Sequence, residues 1–170
     1  MESSAVLRPR FPSRVGLAGA VVGVLDAVFA VTLYSYVLHR APPARILQSI
    51  AAALLGSDAF EGGAPAAALG LLLNFAVAYS WTLVYAFLWL RWERLRALTS
   101  ATPGAIAAGL VLGAAIWVAM DLVVLPLTRA RVTPIASPTF VIQLVWHAIG
   151  LGIPMALIVR DRGSRRLRET

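Results

Sequence analysis

Four long apolar runs set the limits on what this chain can become: residues 15–38, 65–90, 103–125 and 140–159, whose only carboxylates are Asp26 and Asp121. Each run is about 20 residues or more, the length an α-helix needs to cross a hydrocarbon core about 30 Å thick. Across 170 residues, 59% are apolar and only 14% charged. A soluble fold of this size has too small an interior to hide that much apolar surface. Disorder is excluded by the same numbers. The expected fold class is all-α: an integral membrane four-helix bundle, 15–159, between basic tails at 1–14 and 160–170.

The first run follows Arg8, Arg10 and Arg14, as a signal peptide would. It is too long for a signal core of about 7–15 residues, and Tyr34, Tyr36, His39 and Arg40 are poor cleavage flanks, so it reads as a retained span. The second opens at Pro65, which suits a helix start, and ends in Tyr85, Phe87, Trp89 and Trp92, an interfacial aromatic belt. Pro103 opens the third run and Pro126 stops it. The fourth carries Pro154, which lipid tolerates where neighbouring groups satisfy the freed carbonyl.

All 15 basic residues are arginine. Eleven belong to the two tails and the middle loop: Arg8, Arg10, Arg14, Arg91, Arg94, Arg96, Arg160, Arg162, Arg165, Arg166 and Arg168. The other two loops hold Arg40, Arg45, Arg129 and Arg131. Basic loops stay cytoplasmic, which places both termini inside. Arginine scattered between apolar runs is not a nucleic-acid face; anionic lipid headgroups are the alternative ligand of the tails. There is no cysteine, which removes disulfides and thiolate chemistry.

The first outer loop contains a helical pattern over 44–55. Ile46, Leu47, Ile50 and Leu54 share one face, while Arg45, Gln48 and Ser49 share another. Its length, about 18 Å, is too short to cross, so an interfacial helix is expected. The acidic, glycine-rich stretch 56–63 that follows is a hinge, with a substrate lid as the functional alternative.

Ionisable groups in lipid are costly, so function is sought at the polar residues inside the runs: Asp26, Asn74, Asp121, Gln143 and His147. Helical spacing aligns Gly16, Gly19, Gly23, Asp26 and Ala30; Ala67, Gly70, Asn74 and Ala78; Ala107, Ala114, Trp117 and Asp121; and Phe140, Gln143, His147, Gly150 and Pro154. All the polar groups are expected to face inward. Counting depth from the outer end at about 1.5 Å per residue puts Asp121 near 6 Å, His147 near 10 Å, Asn74 near 14 Å and Asp26 near 18 Å. Asp121 and His147 are then the natural pair. Hydrogen bonds between helices account for Asn74 and Gln143; Asp26 is either such a group or a proton or ligand site.

Gly19–Gly23 and Gly109–Gly113 match the small-residue spacing that lets helices approach closely. The shared order of glycine pair then aspartate leaves open a duplicated two-helix unit. No phosphate loop, HExxH or nucleophile elbow occurs. His147, in Trp146-His147-Ala148, could in principle face a haem or chlorin ring; no catalytic residue, metal site or cofactor is expected.

Residues 45–63, RILQSIAAALLGSDAFEGG, with the following ALGLLLNF, resemble a set of small uncharacterised four-span bacterial inner-membrane proteins. The layout from the second run to Ile158-Val159-Arg160-Asp161 is similar to the YagU-like inner-membrane family. These resemblances imply a bacterial inner membrane and bring no catalytic site. The expectation is a non-enzymatic structural or accessory subunit, homo-oligomeric or in a larger complex. The alternatives are a small oligomeric transporter or proton-linked permease using Asp26, and third a membrane enzyme.

Overall fold

A computed structural model describes residues 10–130 and 133–160. All elements among these residues are helical: α1 (Arg10–Val31), α2 (Pro43–Leu55), α3 (Gly63–Arg91), α4 (Glu93–Thr99), α5 (Thr102–Ala119), α6 (Pro138–Trp146) and α7 (Ile153–Val159). Three π-helical segments extend them, at Thr32–Val37, Met120–Val124 and His147–Gly152. Four continuous helices are long and apolar enough to cross a membrane: Phe11–Val37, Gly63–Arg91, Thr102–Leu127 and Pro138–Val159, here spans 1 to 4.

Every span is longer at one or both ends than its apolar run, because capping chemistry rather than hydropathy fixes the limits. Ser137 accepts a hydrogen bond from the Phe140 amide and Pro138 occupies the first turn, starting span 4 two residues before the run at 140. Residues 10–14, expected in a basic tail, are already helical. Arg8, Arg131, Arg162, Arg165, Arg166 and Arg168 lie outside the described residues. Helix α4 was not expected. It follows a break at Trp92, where the backbone turns extended and the Arg96 guanidinium caps the freed Trp89 and Leu90 carbonyls.

The spans run alternately up and down, but sequence neighbours are not all spatial neighbours. Span 2 packs on span 1, span 1 on span 4, and span 4 on span 3. Spans 2 and 3 are linked through α4 rather than side by side. One end is tied by Arg14 donating to the Arg160 carbonyl (3.1 Å), Arg160 to Thr102 Oγ1 (3.1 Å), and Trp89 Nε1 to Thr99 Oγ1 (3.0 Å). Val15, Ala18, Val22, Tyr85, Ile116, Met155 and Val159 join one core there.

At the other end α2 lies along α3. Gln48, which shares a polar face with Arg45 and Ser49 in the sequence, is buried and donates to the Gly63 carbonyl at 2.9 Å. Ala51 and Ala52 are buried against α3, and Gly70 accepts the Leu47 backbone so closely that any side chain would collide. Leu54, on the apolar face of the sequence pattern, is 57% exposed. Small residues win the contact because they let two backbones approach.

Candidate functional site: a polar cluster midway along the spans

The glycine seams have different partners. Gly19 and Gly23 lie beneath the Tyr79 and Phe75 rings of span 2. Gly109 meets the Gly152 carbonyl and Gly113 the His147 carbonyl, both on span 4. Gly16 faces open space. On span 3 the buried line is Ala105, Gly109, Gly113, Trp117 and Asp121; Ala107, expected on it, is exposed.

Span 4 shows why helical arithmetic fails locally. Phe140 and His147 are buried, with Gln143 between them partly so, but the buried line continues to Leu151, Met155 and Val159 rather than to Gly150 and Pro154. The π segment inserts an extra residue into its turn, and this rotates everything after His147. Pro154 follows immediately, and its ring cannot accommodate regular bonding to the preceding turn.

His147 Nδ1 is 2.8 Å from the Gln143 carbonyl oxygen. A carbonyl only accepts, so Nδ1 carries the hydrogen and Nε2 is left to face span 1. There it meets Asp26 Oδ1 at 3.8 Å. This is ion-pair distance, beyond a direct hydrogen bond. The sequence reading paired His147 with Asp121; the structure pairs it with Asp26. Counted from the observed span ends, Asp26 lies about 17 Å deep, Asn74 about 17 Å and His147 about 14 Å, so these three share a level. The earlier start of span 4 supplies about 3 Å of the correction.

Asn74 donates Nδ2 to the Gly23 carbonyl at 2.8 Å, tying span 2 to span 1 one turn from Asp26. Gln143 donates Nε2 to Tyr34 Oη at 2.7 Å, joining span 4 to the π end of span 1. Tyr34 in turn stands within electrostatic reach of Arg40 and Asp121, and its ring lies 5.9 Å below the Arg40 guanidinium. Asp121 is fully buried; Oδ1 accepts from the Thr133 amide at 3.2 Å, while Oδ2 has no hydrogen-bond partner among the described residues. Trp117 flanks His147 with ring centroids 4.8 Å apart, and Phe29 stacks on Trp146 at 4.3 Å.

Tyr34 is the member that sequence reasoning missed. In the sequence it counts only as one of the poor cleavage flanks of the first run. Counted from the run limits at 38 and 140, Tyr34 lies four residues in and Gln143 three, and that match was the available signal. The cluster thus runs from mid-span Asp26 and His147 through Gln143 and Tyr34 to Arg40 at one end. Asp26 keeps 32% of its side chain exposed against 10% for His147, so the pair is open on the span 1 side.

Among the described residues no group of three or more His, Cys, Asp or Glu is placed to hold a metal ion. His147 has Nδ1 engaged by the Gln143 carbonyl, and its Nε2 faces the Asp26 carboxylate. No family model, curated protein or solved structure matches the chain.

Proposed function

We propose that this is a non-enzymatic structural or accessory subunit of a bacterial inner-membrane assembly. It is an open four-helix bundle with both termini cytoplasmic and α2 at the outer interface. The arginine distribution supports the orientation, and the exposed Leu54 and Leu55 beside buried Ala51 and Ala52 support an interfacial α2. The observation that carries the subunit reading is the open edge of Asp26. A carboxyl group about halfway along a span, with 32% of its side chain uncovered, has no partner in acyl chains. A helix from a second copy or another subunit covers it.

Blue-native electrophoresis of mildly solubilised membranes is expected to show a species larger than the single chain. A cysteine placed at Ala30, one turn from Asp26 and partly exposed, is expected to cross-link into it. A strictly monomeric, partner-free chain contradicts the reading. Because the chain has no native cysteine, single cysteines also report orientation: Ser57 is expected to label from outside and Ser100 not to.

The Asp26–His147 pair favours a second reading, an oligomeric proton-linked permease centred on Asp26. Replacing Asp26 with asparagine keeps the shape and removes the charge. Flux or a proton-coupled phenotype surviving that change intact rules this reading out.

A further inference from the structure

The two halves of spans 1 and 4 are packed differently around the pair. Span 1 buries Val15, Ala18, Gly19, Val22 and Gly23, then no residue from Val24 to Thr32. Span 4 buries none from Val141 to Trp146, then Leu151, Gly152, Met155, Ala156 and Val159. From Asp26 and His147 the way toward Arg14 and Arg160 is therefore closed by packed side chains. The way toward Arg40 is loosely packed until Leu33, Phe140 and the Tyr34–Gln143 hydrogen bond.

We propose that Asp26 and His147 form a binding site for one exchangeable proton, reached from the Arg40 end past Tyr34 and Gln143. The Gln143 carbonyl fixes the imidazole hydrogen on Nδ1, so Nε2 is the acceptor aimed at Asp26. In one arrangement the shared proton sits on Asp26 as a neutral acid beside a neutral ring. When it crosses to Nε2, it leaves a carboxylate beside an imidazolium. The pair carries no net charge in either arrangement, which is what a site in hydrocarbon requires. A small rotation of the Asp26 side chain closes the 3.8 Å gap to hydrogen-bond distance. Asp121, Tyr34 and Arg40 are the other titratable or charged groups along this route; span 2 contributes the uncharged Asn74. The inference deepens the permease reading by naming the ligand, yet proton occupancy and transport are read separately.

The test is nitrogen NMR of the full chain, labelled at its two histidines, in lipid nanodiscs across a pH series, with His39 as internal reference. Asp26→Asn is expected to move the His147 ring titration by about one pH unit or more. Tyr34→Phe is expected to leave that titration in place while changing the rate of proton exchange severalfold. An unmoved His147 titration in Asp26→Asn overturns the shared proton, and an unchanged exchange rate in Tyr34→Phe overturns the route. Should Asp26→Asn fail to insert, the carboxyl infrared band of the unaltered chain gives the same answer. His147→Gln is expected to shift that band, and an unshifted band contradicts the proposal. A moved titration with no flux in liposomes removes the permease reading and leaves the proton site standing.

Discussion

The half of the molecule near Arg14 and Arg160 and the half near Arg40 are built from the same four helices by different rules. In the first, regular α-helix brings small residues and large apolar ones into one core, and polar atoms at its rim are tied by Arg160–Thr102 and Trp89–Thr99. In the second, spans 1 and 3 leave regular α-helix for π segments that hold Tyr34 and Asp121, and span 4 does so from His147, where the two halves meet. An inserted residue costs packing regularity, and such insertions frequently mark functional sites. The difference teaches that stability and chemistry are segregated along the spans: one half holds the helices together, while the other presents polar groups at the cost of close packing.

Substitutions that weaken one half and spare the other sharpen this contrast. The largest effect is expected for Gly109→Ala, whose new methyl would strike the Gly152 carbonyl and Ile153 Cα, backbone that cannot rotate away. A loss of about 3 kcal/mol in detergent denaturation is expected. Met155→Ala, at a fully buried position in the same half, should cost about 2 kcal/mol by opening a cavity. Gln143→Ala in the loose half removes the bond to Tyr34 and should cost only about 0.6 kcal/mol, the average for such bonds between membrane helices. Gly16→Ala is the control: nothing lies within 4 Å, so the change should stay within about 0.5 kcal/mol and on the stabilising side. If Gln143→Ala costs more than Met155→Ala, the division of labour between the halves is wrong.

The spans themselves were legible because apolar length is a strong signal; their ends were not, because Ser137, Pro138 and the Trp92 break act through caps and backbone geometry. The inward direction of Asn74 followed from its spacing with Gly70 and Ala78, and all three are buried in the structure. The partner of His147 did not follow. Its level depended on where span 4 starts, and the seam beyond it depended on a π turn that periodicity assumes absent. The burial of Gln48 and of the small residues of α2 did not follow for another reason. An amphipathic pattern says which residues are apolar, whereas close approach to Gly70 selects small ones.

Hydrogen–deuterium exchange of the full chain in lipid nanodiscs tests the contrast most directly, since buried amides in lipid exchange only where water reaches them. Slow exchange is expected at 15–23 and 153–159, and faster exchange by about tenfold or more at 26–37 and 143–150, corresponding to about 1.4 kcal/mol less local stability. Uniform protection along both spans would contradict the account, because Asp26 and His147 would then sit in a packed core like any other.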